Sequence, residues 1–188
     1  VIVLLMENHS YDSYFGTLGR GDGYTIGPDG KPTNANPDGN GVPVVAYPVG
    51  TTDQTNISTH QNWNSSHRQF GGGAMDQFVI ESGPDAMAYW TAAEIPFYHD
   101  LANTFVVCDR FFCSVPGPTY PNRRFLTGAT AHGNTRTDVN DIATSTPPIN
   151  GIIFERFDQY GISWKNYNGG LPEIALWPYY FTAHSDRA

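Results

Sequence analysis

The sequence predicts an α/β fold, a mainly parallel sheet flanked by helices, and three observations predict it. The first is the apolar run Val1-Ile2-Val3-Leu4-Leu5-Met6, which stops abruptly at Glu7 and Asn8. A short, continuous run rich in β-branched residues suits a strand buried on both faces of a parallel sheet. The second is the succession of a helix-like stretch at 95–102, an apolar stretch at 105–108 and a helix-like stretch at 121–127. The third is 152–160, with apolar residues at helical spacing, closed by Gly161 and followed by the strand-like 162–167. Alternation of this kind is the pattern of βαβ units.

In chain order, the strand at 1–6 delivers Glu7 and Asn8 to its carboxyl end, where ligands of parallel sheets gather. Two hard oxygen donors suit a divalent cation better than a soft metal. Residues 19–56 are dense in Gly, Pro, Asn and Asp and hold one strand-like stretch, 42–47. They are expected to form a polar loop insertion folded over the site as a substrate-selective excursion. Residues 75–81 and 95–102 suit helices, and 105–108 a buried strand.

Ser114-Val115-Pro116-Gly117-Pro118-Thr119-Tyr120-Pro121-Asn122-Arg123-Arg124 then sets one hydroxyl at the mouth of a helix. Thr119 has N-cap chemistry, and Pro121 stands where the first turn has no N–H partners to lose. A phosphate there would sit in front of Thr119, facing unpaired N–H groups and the positive end of the helix dipole. An ordinary capped helix is the plain alternative. Phe125 and Leu126 open the apolar face of that helix.

Composition narrows the class. With 188 residues, 39% of them hydrophobic and 15% charged, the chain suits one folded domain and has no apolar run long enough to cross a membrane. Its net charge of −8 argues against nucleic-acid partners and against adsorption to anionic lipid, both of which favour clustered Lys and Arg. Cys108 and Cys113 are too few for a disulfide framework and are expected to be buried thiols or one small-loop disulfide.

The stretch from Glu7 to Gly16, Glu-Asn-His-Ser-Tyr-Asp-Ser-Tyr-Phe-Gly, resembles the opening block of the phosphoesterase family. That family contains bacterial phospholipases C, plant non-specific phospholipases C and a group of acid phosphatases. Ile95-Pro96-Phe97-Tyr98, Leu101-Ala102, Cys108-Asp109-Arg110-Phe111-Phe112-Cys113-Ser114 and Gly117-Pro118-Thr119-Tyr120-Pro121-Asn122-Arg123 resemble its next blocks, in the same order. The resemblance runs from Val1 to about Tyr167.

It implies an alkaline-phosphatase-like fold and a divalent metal ion held by Glu7, Asn8 and Thr119. Thr119 is then the nucleophile, activated by coordination. Asn122 would donate its amide to a non-bridging oxygen of the substrate phosphate. A phosphate-contacting asparagine after the Thr119 helix is matched by Asn134 or Asn140. Thr59-His60-Gln61-Asn62-Trp63 resembles a block with a site histidine near a tryptophan. His60 is the match, with one extra residue before Trp63, and His67 competes with it.

The reaction implied is hydrolysis of phospholipid through a phospho-threonine, releasing diacylglycerol and then the phosphorylated head group. A phospholipase with this net charge would make transient contact with a zwitterionic lipid surface, and Tyr11, Tyr14, Phe15, Trp63 and Tyr120 are then candidates for a choline-accepting aromatic site, with core packing as the other reading. The alternatives are an acid phosphatase acting on monoesters and a non-catalytic binding module. The resemblance further implies that residues 1–188 are the N-terminal portion of a single catalytic domain, exported to the periplasm or beyond. On that reading, paired acidic ligands in a later segment complete the metal site. With three ligands alone, metal binding is expected to be weak and turnover slow.

Overall fold

A computed structural model describes residues 1–143 and 146–188. Its elements in chain order are α1 (Tyr11–Phe15), β1 (Ala35–Pro37), β2 (Pro43–Val45), β3 (Tyr47–Pro48), α2 (Trp63–Phe70), α3 (Phe78–Ser82), β4 (Ala88–Tyr89), α4 (Pro96–Thr104), α5 (Thr119–Gly128), α6 (Val139–Ala143), α7 (Ile153–Gln159) and α8 (Pro178–His184). They gather into two compact units, Val1–His60 with Arg68–Phe112, and Gln61–His67 with Cys113–Ala188.

The first unit is organised around Trp90, which is 1% exposed. Its backbone N–H donates to the Ser13 carbonyl at 2.8 Å, and its indole N–H donates to the Thr51 carbonyl at 2.8 Å. Tyr14 and His9 lie edge-on to it at 5.7 and 4.8 Å. The α1 helix opens on Ser10, whose Oγ accepts from the Ser13 N–H at 3.2 Å. Gly16 closes it, and a Cβ there would lie 2.6 Å from Tyr24 Cδ2, so only glycine lets the chain fold back at this point.

Asn36 is the polar anchor of this unit, 8% exposed in strand β1. Its amide donates to the Met75 carbonyl at 2.9 Å, while its Oδ1 accepts from Phe78 N–H at 3.0 Å and Val79 N–H at 3.3 Å. It thereby caps α3 from a distant strand, at a helix start where the local residue Gln77 makes no side-chain cap.

The mainly parallel sheet predicted from the apolar runs is a correction. Among the described residues the named strands form an antiparallel pair, β1 with β2 with Asn36 opposite Val44, and a parallel pair of two-residue strands, β3 with β4. Residues 1–6, 105–108 and 162–167 join no strand pair. Val1, Ile2, Val3, Leu4, Phe105 and Val106 are all exposed. An apolar run specifies that both faces favour burial, but a strand also needs edge partners, which hydropathy does not encode.

The polar insertion, conversely, is not mere loop, because β1, β2 and β3 all lie within 19–56. Its strand-like stretch at 42–47 forms β2 and the start of β3. The helices expected at 95–102, 121–127 and 152–160 form as α4, α5 and α7, and α3 covers the later part of the expected 75–81.

The second unit packs α5, α7 and the C-terminal turns around Ile142, Ile152, Leu176 and Trp177, with Tyr120, Phe154, Tyr179 and Tyr180 against them. Trp177 is fully buried and donates its indole N–H to Thr127 Oγ1 at 2.8 Å. It lies flat against α5 because residue 128 is glycine; a Cβ there would come within 2.7 Å of Trp177 Cη2 and 3.3 Å of Ile152 Cγ2. Glu155 caps α7 by accepting from Ile152 N–H at 2.6 Å, and Tyr179 donates to the same carboxylate at 3.2 Å.

Asp158, at the end of α7, accepts from the Tyr180 hydroxyl, from Arg187 at 2.5 Å and from Trp164 Nε1 at 3.0 Å. These donors, the Tyr180 hydroxyl foremost, hold its carboxyl down to about 2.

Two measurements check this packing. Gly128→Ala overfills the Trp177 contact and is expected to cost about 1–3 kcal/mol in urea unfolding, within the range for overpacked cores. Asp158 has a folded pKa below its ordinary value of 3.8, so its contribution is complete above that pH and is lost as pH falls towards about 2. Urea midpoints measured through this window should fall more steeply in the wild type than in Asp158→Asn.

Candidate functional site

Thr119 is the first helical residue of α5, and Pro118, extended at φ −77° and ψ −172°, is the residue that caps it. This corrects the N-cap role expected for Thr119. The proline ring already holds φ in the range an N-cap residue uses, so the helix begins one position later. No side chain caps α5, and the half-buried Thr119 hydroxyl makes no hydrogen bond among the described residues. It is therefore available for chemistry at a helix start of positive potential. Of the neighbouring N–H groups, that of Tyr120 reaches Thr137 Oγ1 at 3.4 Å.

Asn122 is what shapes the approach to Thr119. Its Nδ2 donates to the carbonyls of Val115 at 3.1 Å, Gly117 at 3.0 Å and Pro118 at 3.1 Å, and its Oδ1 accepts from Val115 N–H at 3.1 Å. Two amide hydrogens shared among three carbonyls are fully committed. Asn122 thus folds residues 115–118 back over the first turn of α5, and donation to a phosphate oxygen would require giving up one of these bonds.

Gly117 completes the loop, because a Cβ there would lie 3.0 Å from Trp63 Cε3. Trp63 in turn carries His67, whose ring lies 4.3 Å away. His67 Nδ1 sits 2.7 Å from the Trp63 carbonyl. A carbonyl only accepts, so Nδ1 carries the proton and Nε2 of the neutral ring is an acceptor. His67, Trp63, Gly117, Thr119 and Asn122 all belong to the second unit. The Pro-Gly-Pro punctuation signals the tight loop in the sequence; nothing there signals that Trp63 packs upon it.

Glu7, Asn8 and His60 belong to the first unit. Glu7 and Asn8 lie exposed, just ahead of α1. His9, between them and the Ser10 cap, is held by Gln54 Oε1 at 3.0 Å and stacked on Tyr14 at 5.1 Å. His60 is exposed, with its backbone fixed by Ser82 Oγ at 2.9 Å and Gln69 Nε2 at 3.1 Å. Among the described residues, no three His, Cys, Asp or Glu side chains gather closely enough to hold a metal ion. The oxygen donors of Glu7, Asn8 and Thr119 match a hard divalent cation in kind and fall short in number.

Asn134 stands in the loop after α5, its Oδ1 accepting from Arg136 N–H at 2.7 Å and its Nδ2 buried. Asn140 bonds to Asp138 at the start of α6 through its backbone and its side chain. Cys108 and Cys113 are both free and exposed, contrary to either expectation for them. Of the five aromatic residues considered for a choline site, Tyr14 packs on Trp90 and Tyr98, and Tyr120 packs on the second core. No helix among the described residues is long and apolar enough to cross a membrane.

The sequence matches the Phosphoesterase family over residues 1–186. It is 30% identical over 200 residues to a hemolytic phospholipase C of Pseudomonas aeruginosa, covering 98% of this chain and 27% of that protein. It is 31% identical over 198 residues to phospholipase C A of Mycobacterium tuberculosis, covering 91% of this chain and 38% of that one. With non-specific phospholipase C1 of Arabidopsis thaliana, identity is 29% over 187 residues, covering 92% of this chain and 34% of the plant protein. The chain therefore spans between about a quarter and two fifths of the length of these relatives. By the near-complete match to its defining sequence pattern, the chain belongs to the phosphoesterase family.

Proposed function

We propose that the protein is a phosphoesterase of phospholipase C type that hydrolyses phospholipid through a phospho-threonine at Thr119. The observation that carries this reading is the uncapped hydroxyl of Thr119 at the start of α5, in a loop braced by Asn122. The relatives named phospholipase C support the substrate class.

In the proposed reaction the Thr119 oxygen attacks phosphorus and the bond from phosphorus to the diacylglycerol oxygen breaks. The Thr119 proton passes to a base and a proton returns to the departing oxygen. Water then cleaves the phospho-threonine, freeing the phosphorylated head group and restoring the hydroxyl. The positive end of the α5 dipole favours the charge that develops on the phosphoryl oxygens.

His60, which the resemblance singles out, and His67 are the candidates for moving the proton. His67 is favoured by its fixed tautomer, with Nε2 open to accept, and by its packing on the tryptophan that abuts Gly117. A divalent cation with Glu7, Asn8 and Thr119 among its oxygen ligands would lower the pKa of the hydroxyl and neutralise phosphoryl charge. The surface met by the enzyme is proposed to be zwitterionic, in keeping with its net charge of −8.

Thr119→Ala is expected to lower phosphocholine release from phosphatidylcholine by about a thousandfold or more, the scale of losing a covalent nucleophile. Its unfolding midpoint should stay unchanged, because the hydroxyl caps nothing. Mass spectrometry of wild type acid-quenched during turnover of phosphatidylcholine should find phosphocholine on the peptide containing Thr119. Undiminished turnover in Thr119→Ala would exclude the mechanism, and release of phosphate from simple monoesters alone would favour the acid phosphatase reading. Chelation of divalent ions should abolish turnover and their return restore it.

A further inference from the structure

Arg124 is 1% exposed, yet it has no acidic partner among the described residues. Its guanidinium carbon sits 4.4 Å over the Trp177 ring, and its Nη1 lies 3.5 Å from the Ala131 carbonyl. Its Nε and Nη2 are buried and make no hydrogen bond among the described residues. Those two nitrogens form one edge of the guanidinium, where two N–H bonds run parallel and match two oxygens of a single oxyanion.

Asn134 Nδ2 is also buried without a partner among the described residues. Its orientation is fixed, because Oδ1 is the atom that must accept from Arg136 N–H. Both side chains line one cavity of about 590 Å³, together with His132, Thr135, Arg136 and Asp141. That volume suits a small ligand.

The charge in this cavity is unbalanced. Arg136 is engaged by Asp141 through two bonds of 3.1 Å, so these two neutralise each other. Arg124 is left without a counter-charge among the described residues, and its burial disfavours the charged form. Buried charges are ordinarily paired, and buried amide hydrogens ordinarily bonded. Three orphaned donors around one cavity specify a missing acceptor that is anionic and has several oxygens. Trp177 holds the guanidinium plane for it, and Gly128 makes room for Trp177.

We propose that this cavity is a phosphoryl-oxyanion site, in which Arg124 Nε and Nη2 grip two oxygens of a phosphate group and Asn134 Nδ2 takes a third. It is separate from the Thr119 hydroxyl. Five residues further along α5, Arg124 stands about 7.5 Å up the axis and is turned by roughly 140°. The cavity adds a place for the phosphate of a bound lipid or of the released head group, beyond the one that reacts.

The test is titration of the full chain with inorganic phosphate, followed through the side-chain ¹⁵N resonances of Arg124 and Asn134. Both should move together with a single dissociation constant, and sodium acetate should bind at least about tenfold more weakly, having no third oxygen to offer. Phosphocholine and a soluble short-chain phosphatidylcholine, added separately to Thr119→Ala so that the lipid is not hydrolysed, identify the source by which of them binds more tightly.

Asn134→Asp keeps the bond from Arg136 N–H and places a carboxylate in the cavity that Arg124 lines. It should raise the thermal midpoint, lower phosphate affinity at least about tenfold and remove the rise in midpoint that phosphate gives the wild type. Arg124→Gln should weaken phosphate similarly. Thr119→Ala should leave phosphate binding at these resonances unchanged, so loss of the reaction and loss of this site read separately. Saturation by acetate at equal affinity, absence of saturable movement, or unaltered phosphate binding in Asn134→Asp would overturn the proposal.

Discussion

The flat contact between Trp177 and α5 is the constraint on which the second unit depends. It exists because residue 128 carries no side chain, and it serves three groups at once. The indole face supports the Arg124 guanidinium, its N–H satisfies the buried Thr127 hydroxyl, and its body fills the core with Ile152 and Leu176. Buried aromatic residues of this size carry much of the apolar area a small unit can bury. The helix that presents Thr119 is therefore fixed from its C-terminal end, where Trp177 lies, and trimmed at its N-terminal end by Asn122.

Polar groups provide the finer placement in both units, and they do so across long separations in sequence. Asn36 caps α3 from a strand more than forty residues earlier, and Glu155 fixes the start of α7 while meeting Tyr179. Buried amides and carboxylates that satisfy several partners specify one arrangement, since any other leaves them unbonded. Asn122 belongs to this class, and its committed amide is why the loop before Thr119 has one shape.

Helices were legible in the sequence where punctuation and period agreed. Proline at the start of α4 and in the first turn of α5, and Gly161 after α7, bracket the runs that formed. The strands were not legible, for two opposite reasons. Residues 1–6 and 105–108 have the composition of buried strands, but pairing depends on a neighbour that composition does not name. Ala35-Asn36-Pro37 pairs although little in it favours a strand, because Asn36 is drawn in by the unpaired N–H groups of α3. At the site, Thr119 stood out by its setting, whereas the cap at Pro118, the bracing by Asn122 and the burial of Arg124 depend on contacts made only after folding.

The division of labour at the mouth of α5 has a consequence for descent. Pro118 starts the helix, Asn122 folds the loop and Gly117 admits Trp63, so residue 119 carries none of the architecture. Its side chain is mounted like a tool in a holder, exchangeable without rebuilding the handle. Selection at this position can therefore act on the chemistry of the side chain alone, apart from folding, and exchange of one hydroxyl residue for another can arise here in a single mutational step.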